Sequence, residues 1–423
     1  MSDWTKDLYK KTLSQRQQLV SDHCQLTPQQ DEYISEYSSK VHNEFIENYI
    51  MDYTIPEGLV VDLQVNGRQY VLPMVTEEPS VVAAACNGAK RISKSGGFKA
   101  PVQSRIVTGQ VVVTDVDDPN AFTKWCNEHE KTLLTVANNA HPSMQKRGAG
   151  AKKIRVRQSG SFMNLDVLVD VDQAMGANTV NTMAEAVGRY CQQQGWHVLA
   201  AILSNYALDA VQKAECFVSD DQLATRTMTG STVAKRISEL STLAQVDTFR
   251  AVTHNKGIMN GIDAVIIGSG NDWRSIEAGA HAYASRDGHY RGLSQWHQVD
   301  SGLHGTIELP MTSGVVGGSI KLTRQSQINY QISQIHSAQE LSAVAVSVGL
   351  AQNLAALRAL ATSGIQAGHM KLQYRSLALS VGATDSEVAP LVAQLETAPQ
   401  VNTAVATQLL AQLRKEERNA GKV

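Results

Sequence analysis

The sequence predicts a mixed α/β protein in which a large domain of strands and helices is interrupted by a ferredoxin-like βαββαβ unit. Three observations carry this expectation. Apolar residues alternate with period 2 on both sides of Asn66-Gly67, the signature of a hairpin with a two-residue turn. Between Arg105 and about Leu203 the strand and helix patterns follow in the order βαββαβ, the split-βαβ arrangement, and segments of other character flank it on both sides. At 423 residues and 45.9 kDa, the chain also exceeds the roughly 100 to 200 residues of one ordinary domain.

Residues 1–45 are polar and Gln-rich, and read as short surface helices. Leu59, Val61, Leu63 and Val65, then Tyr70 to Val75, are the two hairpin strands. Glu78-Pro79-Ser80 places an acceptor and an N1 proline before Val81 to Lys94, with Gly96-Gly97 beyond, so a helix capped by Glu78 is expected. Within the inserted unit, strand Ile106–Val113 leads to a helix opened by Asp117-Asp118-Pro119. Strands around Ile154–Val156 and Leu165–Val171, a helix from Asn178 to Gln194 and strand Val198–Leu203 follow. Further on, Ser231–Ala244 reads as a helix and Ala264–Ile267 as a short buried strand, and Asp272 caps a helix running to Ser285. Ser337-Ala338-Gln339-Glu340 is a capping box opening a small-residue helix that ends before Gly364. The remainder is helical, split by Gly382 and Pro399.

Composition narrows the function. Hydrophobic residues are 43 % and charged residues 18 %, the profile of a globular chain. Lys and Arg total 38 against 40 Asp and Glu, without a block of like charge, which argues against a nucleic-acid partner. The longest apolar run, near Ala343 to Ala351, is shorter than the roughly 20 residues that span a bilayer, so no membrane segment is expected. The N-terminus lacks the apolar stretch of a secretory leader, and the five cysteines form no CxxC pair, which together point to reduced thiols in a cytoplasmic protein without a metal site.

Four ionisable residues stand in settings richer than their surroundings require. Glu78 reads as an N-cap or as an acid. Lys256, in a Thr-His-Asn-Lys-Gly loop of turn formers and amides, reads as a surface cation or as an oxyanion stabiliser. Asp272, at a helix start after a buried strand, reads as an N-cap or an active-site acid. His369 is a structural histidine or a proton donor. No Rossmann fingerprint or Walker A motif occurs, and Gly176, in Ala174-Met175-Gly176-Ala177-Asn178, is the nearest phosphate cradle, at a strand-to-helix connection.

The segments EEPSVVAAACNGAKRISKSGGF, AMGANTVNTMAEA, RAVTHNKGIMNGIDAVIIGSGNDWRSIEAGAHAYASRDGHY and VGLAQNLAALRALATSGIQAGHMKLQ resemble the signature segments of bacterial class II 3-hydroxy-3-methylglutaryl-CoA (HMG-CoA) reductases, from about Glu47 onward. The resemblance implies that Glu78, Lys256, Asp272 and His369 are catalytic. It further implies that Ser80, Arg250, Asn260 and Asn271 line the acyl pocket with Asn205 near the reacting centre, and that Met175, Gly176 and Asn178 lie against a dinucleotide. The architecture it implies is an obligate homodimer, or a higher oligomer, with active sites shared between subunits. Its divisions here are a large domain (1–104 and 208–365), the inserted cofactor domain (105–207) and a C-terminal helical flap (366–423).

The reaction implied is the reversible four-electron reduction of HMG-CoA to mevalonate and CoA by two NAD(P)H, without a metal. A catalytically impaired dimeric CoA-thioester-binding homologue is the alternative, because Tyr49, Met51 and Gln173 depart from the family pattern. Where an aspartate is usual, Gln173 presents a neutral amide. In the inserted unit, the segment from Thr135 to Gly148 holds no acidic residue and the adjacent bases Lys146 and Arg147, which favours a 2′-phosphate and hence NADPH over NADH.

Overall fold

The computed structural model describes residues 4–102, 104–317, 320 and 323–420, with 365–372 and 417–420 described by backbone alone. Residues 1–56 form one compact unit and 57–423 another. In the first, helices Leu13–Cys24 and Pro28–Glu36 each begin with a threonine capping box, Thr12 with Gln15 and Thr27 with Gln30. Buried Arg16 donates from Nε to the Tyr49 carbonyl at 3.0 Å. The bulky Tyr49 is absorbed into this unit, its hydroxyl accepting from Ser39 N–H (2.7 Å) and donating to Asp52 (2.8 Å).

The second unit holds two sheets. Strands β1 (Glu57–Val65), β2 (Arg68–Val75), β3 (Phe98–Lys99), β8 (Val211–Ser219), β9 (Ser294–Val299) and β10 (Gly302–Pro310) pair in the order β2-β1-β3-β8-β10-β9. Strands β4 (Ile106–Thr114), β5 (Gly150–Ser159), β6 (Phe162–Asp170) and β7 (His197–Ser204) pair in the order β5-β6-β4-β7, antiparallel throughout. That second order is the ferredoxin-like topology expected from the sequence, and its core gathers Val111, Phe122, Leu133, Leu165, Met183 and Val187. Strands β8 to β10 lie outside the sequence reading, although Ala214, Cys216 and Val218 occupy alternate positions and face the main core.

The main core surrounds helix Ala338–Ala361, whose residues are buried on almost every side, as Leu341, Val344, Val348, Leu350 and Leu354 show. Long and apolar enough by composition to cross a membrane, this helix is instead packed inside the protein. Helix Pro79–Ser93 crosses it at Gly88, where a Cβ would fall 2.0 Å from the Ala351 carbonyl oxygen. Helix Thr248–Gly268 packs along it too, with Ile262 filling the space over Gly349. Two expectations are corrected here: Lys256 is not in a loop and Ala264–Ile267 is not a strand, because both belong to this one helix. Among its turn formers, Gly261 packs against Val348 and Gln352 of the central helix and Asn255 bonds the backbone of Arg291 and Leu293, so tertiary contacts override their weak propensity.

Buried Arg105 joins the two sheets. Its guanidinium donates to the carbonyls of Asp172 (3.1 Å), Ala174 (2.9 Å), Met311 (3.2 Å) and Ser313. Beyond the central helix, helices Ile365–Ser380, Asp385–Thr397 and Thr403–Ala420 share a small core of Tyr374, Leu391, Leu395 and Leu410.

The Gly88 crossing makes a stability prediction. Gly88→Ala is expected to force the two helices apart and destabilise the protein by about 1–3 kcal/mol, the usual cost of overpacking. Chemical denaturation measures this, and an unchanged midpoint would show that the crossing is not tight.

Candidate active site

A cleft of about 450 Å³ opens where three helices meet. The first is Pro79–Ser93, entered from β2 through Thr76-Glu77-Glu78, with Pro79 fixing its first turn. Glu78 occupies the N-cap position, but its carboxylate makes no capping bond, contrary to expectation. Instead it accepts from the Ser80 hydroxyl at 3.0 Å, which leaves both side chains facing the cleft. The second helix, Thr248–Gly268, is capped by Asp247 and lines the cleft with Arg250, Thr253, Lys256 and Asn260. The third is the C-terminal half of the central helix, with Gln352, Ala355, Ala356 and Ala359. These alanines give the small-residue pattern of that helix a place in the wall of the cleft.

Electrostatically the cleft is prepared for an anion. Burial lowers the Arg250 guanidinium from its ordinary value, and its buried Nε has no hydrogen-bond partner among the described residues. An unpartnered buried donor is costly unless a ligand satisfies it, and a carboxylate is the matching group. The Gln352 Oε1 is buried and unpartnered in the same cleft. Behind the Lys256 helix, burial and Arg250 push His254 down to about 3, so it stays neutral and serves a structural network with Ser294 (2.7 Å) and Asn353.

The structure therefore brings together Glu78, Ser80, Arg250, Lys256 and Asn260, from segments far apart in the chain. It does not place Asn205, Asn271 or Asp272 on this cleft. Asp272 caps helix Trp273–Ala284, accepting from the amides of Arg274 (3.0 Å) and Ser275 (3.3 Å), and pairs with the Arg274 side chain at 3.3 Å. Asn271 exchanges hydrogen bonds with the Gly314 backbone, at 2.7 and 2.9 Å. Exposed Asn205 follows β7, and its carbonyl lies against the Asp272 helix at Gly279. His369 falls on helix Ile365–Ser380, directly after the cleft-lining Ser363, and its side chain lies outside the described residues.

The strand-to-helix connection after β6 forms a second feature. Gly176 has φ +97°, and a Cβ there would fall 2.3 Å from Val171 Cγ1, so only glycine fits. It is the N-cap of helix Ala177–Gln193, which has no side-chain cap, leaving the first-turn N–H groups available to an anion, with Met175 half-buried and Asn178 exposed beside them. Arg147 approaches this connection through an ion pair with Asp172 at 3.5 Å, an acid that the sequence reading of 135–148 did not bring to it. Lys146 is exposed next to it. Gln173 turns the other way: its Oε1 accepts from Ala338 N–H at 2.8 Å and its Nε2 donates to Gln339 at 3.2 Å, tying the connection to the head of the central helix. Among the described residues no three His, Cys, Asp or Glu side chains gather as a metal site would need.

Comparison with known proteins bears on both features. The sequence profile of the family described as hydroxymethylglutaryl-coenzyme A reductase matches residues 12–374. The 3-hydroxy-3-methylglutaryl-coenzyme A reductase of Archaeoglobus fulgidus is 38 % identical over 425 residues, covering 98 % of this chain and 95 % of that protein. A probable enzyme of the same name from Borreliella burgdorferi is 32 % identical, covering 98 % and 97 %. Among solved structures, the class II 3-hydroxy-3-methylglutaryl-CoA reductase of Streptococcus pneumoniae bound to NADPH in open conformations matches with a TM-score of 0.75 and 42 % identity, over 96 % of this chain and all of that one.

Proposed function

Because this chain belongs to the hydroxymethylglutaryl-coenzyme A reductase family, we propose that the cleft holding Glu78, Ser80, Arg250, Lys256 and Asn260 is where it binds and reduces HMG-CoA. The activity is that of an NAD(P)H-dependent oxidoreductase of the mevalonate pathway, converting HMG-CoA to mevalonate and CoA. The observation that carries the assignment of the site is the buried Nε of Arg250, without a partner among the described residues, in a cleft that also holds an acid and an ammonium group.

The residue types match the steps. Arg250, with Asn260 and Ser80, receives the substrate carboxylate and acyl group. Hydride arrival at the thioester carbonyl creates an oxyanion, and the Lys256 ammonium stabilises it. Collapse of the hemithioacetal expels the CoA thiolate, which His369 protonates from the helix that follows Ser363. A second hydride reduces the bound aldehyde, and Glu78 supplies the proton to its oxygen, directly or through Lys256. The uncapped helix start at Gly176, with Met175 and Asn178, fits a pyrophosphate, and two successive NADPH molecules bound there would each supply one hydride.

Asp272, Asn271 and Asn205 complete this machinery in a homodimer, where Asp272 of the partner subunit orients Lys256. Support comes from the Lys256 helix itself: Lys256 is exposed in the single chain, and Phe249 (89 % exposed) and Val252 (50 %) leave apolar surface on the same helix that a second copy would cover. Free Cys24, Cys86, Cys126, Cys191 and Cys216 accord with a reducing, cytoplasmic setting. The division into a large domain, an inserted cofactor domain at 105–207 and a flap at 366–423 is part of the same proposal.

Three outcomes test these roles. Lys256→Ala is expected to lower kcat by on the order of a hundredfold or more with thioester affinity little changed, and a near-parental rate in NADPH oxidation with HMG-CoA would remove Lys256 from the reaction. His369→Gln is expected to impair reduction of HMG-CoA while sparing free mevaldehyde, which has no thiolate to release; equal losses in both half-reactions would assign His369 another task. NADPH is expected to have the higher kcat/KM, and Arg147→Ala to narrow its lead over NADH. An unchanged ratio would show that Arg147 does not meet the 2′-phosphate.

A further inference from the structure

A chain of polar groups starts and ends on the Lys256 helix and passes across the helix capped by Asp272. Asp263, two turns beyond Lys256, hydrogen-bonds through its carboxyl to Glu277 of the Asp272 helix. Glu277 Oε2 lies 2.6 Å from His281 Nε2. His281 Nδ1 lies 2.7 Å from the Tyr290 hydroxyl, and the two rings stack with centroids 5.9 Å apart. Tyr290 in turn meets the side chain of Asn255, the residue before Lys256. Asn255 is fully buried, donating to the Arg291 carbonyl and accepting from Leu293 N–H, both at 2.8 Å. None of these groups lines the cleft.

Two carboxyl groups in direct contact cannot both ionise at low cost, so Asp263 and Glu277 hold one proton between them. We infer that Asp263, Glu277, His281 and Tyr290 are positioning residues: a proton-dependent brace that holds the Lys256 helix against the Asp272 helix and so sets where the two proposed catalytic groups stand. The inference rests on the functional reading above.

Burial and Glu277 push Asp263 up to about 9, while the hydrogen bond from His281 lowers Glu277, so the shared proton sits on Asp263. Glu277 raises His281 in return, favouring its charged form. The groups facing this set are Glu277 on Asp263, Asp263 and His281 on Glu277, Glu277 on His281, and Glu277 and Asn255 on Tyr290. The sign follows. Asp263 and His281 both bind their protons more tightly folded than unfolded, so their contribution is complete below their unfolded values and is lost as pH rises through the raised ones. For His281 that is above its ordinary 6.5, and for Asp263 it is near 9. Glu277 acts oppositely, and its contribution fades only toward acid pH. Alkaline titration therefore weakens the brace, by placing a second negative charge against Glu277 with Asp263 Oδ1 already buried and without a partner.

The experiment compares full-length parent and Asp263→Asn, whose amide can still donate to Glu277 but has no proton to lose. Melting temperature and kcat for NADPH oxidation with HMG-CoA are followed from about pH 7 to pH 10. In the parent, kcat is expected to fall roughly tenfold over this range with KM for HMG-CoA nearly constant, and the melting temperature to fall with it. In Asp263→Asn both limbs should flatten, to about a twofold fall in kcat. Parallel curves for the two proteins would overturn the brace. A flattened melting limb with an unchanged kcat limb would leave it purely structural and overturn its positioning role. Should Asp263→Asn fail to fold, Glu277→Gln removes the facing charge from the other helix and is expected to flatten the same limbs. The melting curves require no turnover, so loss of the reductase reading and loss of the brace give different results.

Discussion

One buried guanidinium conditions the geometry of everything else in the larger unit. Arg105 is 7 % exposed, and burial pulls it down to about 10 while the fields of Asp170 and Asp172 oppose that pull. Among the described residues it has no carboxylate in hydrogen-bond contact, and it is satisfied mainly by backbone carbonyls from two separated stretches, 172–174 and 311–313. A planar fork with several donors suits that task, and a lysine could not reproduce it. The stretch 172–174 leads into the Gly176 connection, and 311–313 leads to Gly314, which holds Asn271 beside Asp272. The proposed dinucleotide cradle and the loop before Asp272 are thus tied to one another through this side chain. The parallel bridge between Ala174 and Val316 and the Val315 N–H to Gln173 carbonyl bond (2.9 Å) run alongside it.

Legibility in the sequence followed how local the determining physics was. The Asn66-Gly67 turn, the Asp118 cap and the strand order of residues 106–204 were readable, because a turn, a cap or a period of 2 lies within a few residues, whereas a bulge between Val60 and Leu63 turns Leu59 and Val61 outward and helices Glu130–Ala140 and Pro142–Gln145 were not read. Nor was the Lys256 helix. Its glycines and asparagines argue locally for a loop, and what makes them helical is tertiary contact, with the central helix about ninety residues further on and with the backbone of Arg291 and Leu293. Strands β9 and β10 escaped for a similar reason, as β10 is completed by pairing with β8 and the six-residue β9 by pairing with β10.

Site residues divided the same way. Residue type and family resemblance located Glu78, Ser80, Arg250, Lys256 and Asn260, and folding gathers them in one cleft. Neither could show that Glu78 faces Ser80 instead of capping its own helix, that Arg147 meets Asp172, or that Gln173 is engaged with the central helix. Each of these depends on which partner the tertiary structure presents, and no short window of sequence contains both halves. The Asp263–Glu277–His281 chain belongs to this class, since on paper it is three ordinary helix residues.

The central helix meets Gln173 at its head and lines the proposed substrate cleft with Ala355, Ala356 and Ala359 near its tail. Its 24 residues make it a rod of about 36 Å, with each residue advancing the spiral by about 100°. Two sites are therefore ruled off along one measuring stick. Adding or deleting a single residue between Ala338 and Ala355 would move the alanine floor by only about 1.5 Å along the axis, yet swing it roughly a quarter turn away from Lys256 and Glu78. Side chains along this rod can change, but its count is locked by rotational phase, so length variation in such a chain has to be absorbed in its loops and in the segments outside the rod.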